Sequence, residues 1–482
     1  MPATELSLAA AIDRIRSGPQ GPAVGAFFDF DGTLIHGFSG VPFFRKVWRG
    51  RPTRRELVKT LHTRRGEQTE AQEREFIEFW LRAWQGHTET ELDEIGDQLF
   101  HDTLAGHLYP EAWYLIRAHE QAGHTLVLAS AATRFQVEPA AAELGIGHTL
   151  YTELEVREGV LTGAVRGPLL RGPDKADAVR RFAGAHAVDL TDSYSYSNGV
   201  EDEAFLAATG VPTAVNPDSG LATLAAAHGW PILRFTPRGT VRPREIARTA
   251  AAAMGMLGGI AVGARRGRGS DRRTLVDSVL ATGADYTLRG AGVELRVVGE
   301  TNARAPRPAV FLFNHQSEFD IFVVAKVLDH GFTGVGKKEL ATNPVFGPLF
   351  RFIGLTFIDR GNTEQAKAAL GPVVDTLRDG VSIAIAPEGT RSYTPMPGPF
   401  KKGAFHIAIQ AGVPVIPIVI RNAGEIYWRN ASTLRPGTID VAVLDPIDVS
   451  AWNPGNLDAN VAAVRQRYLD TLLHWPATPD QR

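Results

Sequence analysis

Asn314-His315-Gln316-Ser317-Glu318-Phe319-Asp320, set directly after the apolar run Ala309 to Phe313, is the stretch on which the reading of this 482-residue chain turns. A short apolar run reads as a buried strand, and the polar residues after it as a loop at its carboxyl end. A histidine and an aspartate five positions apart in such a loop make a base and its orienter. Neutral imidazole takes a proton from a hydroxyl near neutral pH, and a carboxylate on its other nitrogen fixes the tautomer and stabilises the imidazolium. No serine or cysteine stands beside them in a recognisable nucleophile elbow. The substrate's own hydroxyl is then the expected nucleophile, and acyl transfer the expected reaction. A competing reading makes the stretch a capping box, with Ser317 at the N-cap and Asp320 at the third helical position.

Three later segments supply what acyl transfer to a phosphorylated alcohol needs. Gly336-Lys337-Lys338-Glu339-Leu340 is a cationic turn. Gly354 to Arg360 is a strand that delivers an arginine at its end. Ile383-Ala384-Ile385-Ala386-Pro387-Glu388-Gly389-Thr390-Arg391-Ser392 is a strand followed by a charged turn. Guanidinium forks suit phosphate, and a glycine lets backbone approach a ligand closely. The plain alternatives are a solvated strand end for Arg360 and a solvated turn for Lys337 and Lys338.

Residues from about 285 to 470 resemble the glycerolphosphate acyltransferase superfamily, in particular the 1-acylglycerol-3-phosphate acyltransferases. The resemblance rests on four blocks in order: His315 with Asp320, the block ending in Arg360, Glu388 to Ser392, and Val413-Pro414-Val415-Ile416-Pro417-Ile418. Phe400-Lys401-Lys402-Gly403-Ala404 is also similar to the family. The resemblance implies that His315 is the general base on the glycerol hydroxyl, oriented by Asp320. It implies that Arg360 and Arg391, helped by Lys337, hold the acceptor's phosphate. Glu388, Gly389 and Thr390 would shape the acceptor site, and nearby amides would stabilise the oxyanion. The donor would be a thioester of coenzyme A or acyl carrier protein, and the acceptor lysophosphatidic acid.

The amino-terminal half carries a second pattern. Ala23 to Phe28 is a continuous apolar run of the kind a doubly buried parallel strand has. It ends in Asp29-Phe30-Asp31-Gly32-Thr33. Two carboxylates spaced by two at a strand's carboxyl end reach the ligand crevice of an open α/β sheet. One can attack phosphorus while the other shuttles a proton, with a divalent cation offsetting the repulsion between anions.

Residues 23 to 220 resemble the haloacid dehalogenase-like phosphatases, most closely the phosphoserine phosphatase branch. By that resemblance Asp29 is the nucleophile and Asp31 the acid/base. Ser130, after Thr125 to Ala129, binds the transferred phosphoryl group, and Lys175 stabilises the aspartyl phosphate. The metal, Mg2+, would rest on Asp29, Asp31, Asp202 and Asn198. The sequence departs from the family at Asn198, where an aspartate is usual. A module without catalysis is therefore the alternative for this half. For the whole chain the alternative is a lipid-phosphate-binding protein with degenerate sites.

Both halves alternate apolar strands with helices, so the expected fold is two α/β domains with largely parallel sheets. The amino-terminal domain would be Rossmannoid, residues 1–236. Residues 34–124 would form its helical cap, read from Leu57 to Leu61, Phe76 to Trp84 and Leu92 to Phe100, with Phe76, Phe79, Trp80 and Trp84 as cap core. Residues 285–482 would form the acyltransferase domain. A joint over 237–284 holds the charge-free run Thr249 to Ala264, with Arg242, Arg244 and Arg248 before it and Arg265, Arg266, Arg268, Arg272 and Arg273 after it. Its 16 residues fall short of the roughly 20 that span a bilayer, so an interfacial helix on anionic lipid is expected. An inter-domain helix packed on protein is the bland alternative. The location implied is the cytoplasmic face of a membrane, peripheral or monotopic. A net charge of −2 argues against bulk nucleic-acid binding, and the lack of cysteine excludes disulfides and thiolate chemistry. A homo-oligomer stays open, and no signal peptide is read at the amino terminus.

Overall fold

The computed structural model describes residues 5–47, 84–237, 241–304, 307–342, 347–358, 370–429 and 431–476. It divides into two compact units, Met1–Gly239 and Thr240–Arg482.

The first unit is built on seven parallel strands. They are β1 (Glu5–Leu6), β2 (Val24–Phe28), β3 (Thr125–Ala129), β4 (His148–Leu150), β7 (Asp189–Ser197), β8 (Val211–Val215) and β9 (Ile232–Leu233), in the order β1-β9-β8-β7-β2-β3-β4. A hairpin of β5 (Leu154–Arg157) and β6 (Val160–Val165) stands apart from that sheet. Central β2 is buried along its whole length, as its unbroken apolar sequence predicts. Phe27 meets Phe182 edge-on, and Phe28 stacks on Tyr196 of β7. The crevice at the carboxyl ends of β2, β3 and β7 therefore opens where Asp29, Ser130 and Asn198 follow their strands.

Between β2 and β3 the described chain is helical: Gly40–Val47, Glu89–Asp102 and Pro110–Gln121. The stretch Leu92 to Phe100 falls inside Glu89–Asp102, which opens on a capping box between Thr88 and Glu91. Trp84 is buried and packs on Phe43 and Phe135. Leu57 to Leu61, Phe76, Phe79 and Trp80 lie outside the described residues.

The second unit opens with the helices Pro243–Arg266 and Arg272–Ala291. The strands follow: β10 (Val293–Val298), β11 (Val310–Phe313), β12 (Phe332–Lys337), β13 (Thr356–Ile358), β14 (Ser382–Ile385), β15 (Val415–Arg421) and β16 (Gly437–Val443). Their order is β10-β16-β15-β11-β14-β12-β13, parallel except between β15 and β16. Alternation along β11 splits its side chains between two cores. Phe311 and Phe313 face the helix Asp320–Leu328, while Val310 and Leu312 join the core with Phe405, Ile407 and Tyr468. With both faces covered, β11 ends in an edge-free interior, and the loop after it opens at the sheet's carboxyl edge.

The apolar run Thr249 to Ala264 forms most of one long helix, paired antiparallel with its successor. Gly255, Gly259 and Gly263 lie against the backbone at Tyr286, Thr282 and Ser278. These glycines, which weaken a helix in water, here let two backbones meet. The opposite face leaves Ile246, Met254 and Leu257 exposed at 54%, 67% and 64%.

Candidate functional site

The loop after β11 turns back on itself because Asp320 collects its amides. One Asp320 oxygen, Oδ2, accepts the N–H groups of Gln316 (2.8 Å) and Ser317 (2.9 Å), and faces His315 Nδ1 at 2.9 Å. Asp320 has no exposed surface, and its Oδ1 is buried without a partner among the described residues. An acceptor-only carboxylate at Nδ1 places the imidazole proton there and leaves Nε2 with a lone pair. The His315 side chain keeps 22% of its surface exposed, so that lone pair can meet a substrate.

The capping-box reading needs correction. Asp320 is the first residue of the helix Asp320–Leu328, not its third, and Phe319 precedes it as a cap without a side-chain bond. The Ser317 hydroxyl donates to the Tyr427 carbonyl (2.6 Å) and accepts the Phe319 N–H. Asp320 reaches back to the Ser317 N–H, so half of a capping box survives, and its main task is the imidazole.

The turn after β14 docks on this loop. Glu388, almost fully buried, accepts the His315 N–H (2.7 Å) on one oxygen and the Gly398 N–H (2.8 Å) on the other. Burial raises its carboxyl to about 8, against the pull of those two amides. Both oxygens are thus engaged by backbone, so Glu388 braces the loop carrying the base, where a direct role in shaping the acceptor pocket was expected. Ser392 returns the tie, its N–H donating to the His315 carbonyl at 2.7 Å. Gly389 takes φ +74, open to glycine at no steric cost, and Thr390 is exposed. Arg391 pairs with Glu318, between the base and its orienter, at 3.1 Å. The structure therefore brings His315, Asp320, Glu388 and Arg391 together. Arg360 lies outside the described residues. Lys337 closes β12, and only its backbone is described.

Arg429 went unnoticed in the sequence. It donates to the Arg391 carbonyl (3.2 Å) and lies 4.3 Å over the Tyr393 ring, fixing the backbone that carries Arg391. Its signal is tertiary, because 38 residues separate the partners.

In the first unit, Asp29 sits at the end of β2 with its N–H on the Tyr196 carbonyl. Lys175 donates to Asp29 Oδ1 (2.7 Å) and Asp202 Oδ2 (2.6 Å), deep inside the unit. Burial works to lower the lysine's pKa, and the attraction of Asp202 and Asp29 outweighs it, so the ammonium is held. Burial raises Asp29 to about 6, with Lys175 opposing and Asp202 adding to the rise. Asp31 is raised to about 7, again by burial first, although the Ser39 N–H (2.8 Å) and hydroxyl (3.0 Å) bind it. Ser130 is buried at the end of β3, next to β2, its hydroxyl accepting the Ala132 N–H.

The four expected metal ligands do not converge as a set. Among the described residues no three Asp, Glu, His or Cys side chains are grouped to hold a cation. Asp31 turns to Ser39, and Asp202 is engaged by Lys175 and by the Ser197 hydroxyl (2.6 Å). Asp29 Oδ2 and Asn198 Oδ1 do meet, both at the Thr33 hydroxyl (3.0 and 3.3 Å). A side chain on Gly32 would strike Asn198, so glycine there admits that approach. One carboxylate and one amide oxygen are hard donors that fit Mg2+ while bringing a single charge.

Comparison with known proteins agrees with this division. A family model described as haloacid dehalogenase-like hydrolase matches residues 26–207, and one described as Acyltransferase matches residues 294–421. A 1-acyl-sn-glycerol-3-phosphate acyltransferase of Saccharomyces cerevisiae is 33% identical over 191 residues, 38% of this chain and 60% of that protein. Its namesake in Escherichia coli is 36% identical over 162 residues, 33% of this chain and 65% of that protein. The chain thus spans about six-tenths of the length of these curated relatives. A solved 1-acyl-sn-glycerophosphate acyltransferase from Thermotoga maritima aligns with a TM-score of 0.42 at 23% identity, over 48% of this chain and 98% of that one. Two families are joined in one polypeptide here, a haloacid dehalogenase-like hydrolase domain followed by an acyltransferase domain.

Proposed function

We propose that the second unit transfers an acyl group from a coenzyme A or acyl carrier protein thioester to the free hydroxyl of lysophosphatidic acid, giving phosphatidic acid. The observation that carries this is the 2.9 Å contact of His315 Nδ1 with buried Asp320, beside Arg391. His315 Nε2 takes the hydroxyl proton as the oxygen attacks the thioester carbonyl. The tetrahedral intermediate collapses with loss of the thiolate, and the imidazolium returns its proton to that sulfur. Arg391 exchanges exposed Glu318 for the acceptor's phosphate. That exchange costs little, because an exposed ion pair contributes only about 0–1 kcal/mol. Arg360 and Lys337 complete the phosphate site in this reading. Purified protein supplied with lysophosphatidic acid and an acyl thioester should release phosphatidic acid, and His315→Ala should lower turnover about 100- to 10,000-fold. Full activity in that variant would defeat the assignment.

For the first unit we infer phosphomonoester hydrolysis. Asp29 attacks phosphorus, Asp31 donates a proton to the leaving oxygen and then takes one from water, and Lys175 holds the aspartyl phosphate. The rise of Asp31 to about 7 suits a group that both gives and takes a proton near neutral pH. When bound, Mg2+ on Asp29 and Asn198 would neutralise the charge of anion meeting anion. The neutral Asn198 favours a second reading, a module without turnover. Release of phosphate from a panel of phosphomonoesters, with Asp29→Asn as control, separates the two.

The helix Pro243–Arg266 supports a membrane-surface location. It is long and apolar enough to cross a bilayer, with a mean hydropathy of 1.4 and 17% burial over its most apolar window. Its partnered glycine face and the arginines at both ends support a helix lying in the interface of the cytoplasmic leaflet.

A further inference from the structure

Lys401 is placed in a way that packing does not require. Its N–H donates to the Pro387 carbonyl at 2.8 Å, which ties it to the Pro387–Gly389 turn. Its side chain then lies along that turn: a Cβ on Gly389 would stand 3.1 Å from both Lys401 Cδ and Nζ. The ammonium is exposed, and no carboxylate lies within 4 Å of it among the described residues. The adjacent lysine is spent differently. Lys402 Nζ pairs with Asp458 at 2.6 Å on the surface. A cation drawn over a glycine, two residues before the arginine that flanks the base, is set to meet an anion arriving at that turn.

We propose that Lys401 is a further binding residue for the acceptor's phosphate, acting beside Arg391. The proposal rests on the acyltransferase reading above. The lysine stem packs over the glycine backbone, so the charge is held without a counter-ion among the described residues, and the phosphate supplies one. Discrimination follows: an acceptor with a phosphomonoester gains from Lys401, and a monoacylglycerol does not.

The test uses the full chain with lysophosphatidic acid, with monoacylglycerol and with one acyl thioester. Lys401→Met keeps the stem and removes the charge. The KM for lysophosphatidic acid should rise about tenfold with kcat nearly unchanged, and turnover of monoacylglycerol should not move. Lys401→Arg should restore most of the affinity. Lys402→Met should match the wild type with both acceptors. An unchanged KM in Lys401→Met, or an equal loss with both acceptors, would overturn the proposal while leaving the enzyme assignment intact. Absence of any phosphatidic acid from the wild-type chain would remove both together.

Discussion

Asp320 Oδ2 faces the His315 ring nitrogen and two backbone amides at once, so no other side chain can replace it without loss. Asp320→Asn presents one amide group to three donors and frees the imidazole to adopt the wrong tautomer. We expect kcat to fall about a hundredfold or more with little change in the KM for lysophosphatidic acid; steady-state kinetics on the purified variant decide it. Glu388 gives a pH prediction. Its folded pKa of about 8 lies above the ordinary 4.5, so the folded state holds its proton more tightly than the unfolded state. That contribution is complete below about 4.5 and is lost as pH rises through about 8. Glu388→Gln carries no such proton. The wild type's unfolding midpoint should therefore fall relative to the variant between pH 5 and 9, and parallel profiles would refute this. The meeting of His315 with Asp320 was readable because their spacing is local and the loop closes on itself. The bracing bonds of Glu388 were not legible, since its partners at 315 and 398 are revealed only by folding. Asn198 was legible as a departure, yet its meeting with Asp29 over the Thr33 hydroxyl was not.

The paired helices Pro243–Arg266 and Arg272–Ala291 pose a question at the scale of elements. Sequence alone marked their glycines as weak points, because propensity sees one helix at a time. The structure uses Gly259 for contact, where an added Cβ would lie 2.6 Å from the Thr282 carbonyl, whereas Gly258 faces open space. Gly259→Ala should destabilise the second unit by about 1–3 kcal/mol. Gly258→Ala should stabilise it by up to about 1 kcal/mol. Opposite shifts in urea midpoints bear this out, and shifts of the same sign refute it. The strands were easier to read: β2, β11 and β14 are short apolar runs that end in charged turns, and each was placed correctly by that signal. The antiparallel pairing of β15 with β16 left no mark in the residues, since pairing direction depends on how distant segments meet.

For the whole molecule, the two candidate sites lie in separately compact units with separate residues. Asp29→Asn should abolish phosphate release and leave acyl transfer intact, and His315→Ala should do the reverse. Loss of both activities in either variant would argue against independent sites. The exposed face of Pro243–Arg266 makes a further claim: Met254→Glu with Leu257→Glu should weaken binding to anionic vesicles by tenfold or more, as burying each side chain contributes about 1.5–3 kcal/mol. Sedimentation with vesicles measures this, and undiminished binding would assign that face to protein contact instead. Length foretold more than one unit, because 482 residues exceed one core, and the alternation of apolar strands with helices foretold the α/β class. Neither foretold that the apolar run belongs with the second unit, since that depends on the helix against which it packs.

The second helix of this pair also carries Asp285, which grips Lys326 on the helix that begins at Asp320. Two backbones in contact leave no soft layer to absorb strain. The exposed face of Pro243–Arg266 is thus joined, through close backbone contact, to a helix that is itself tied by one surface ion pair to the helix beginning at Asp320.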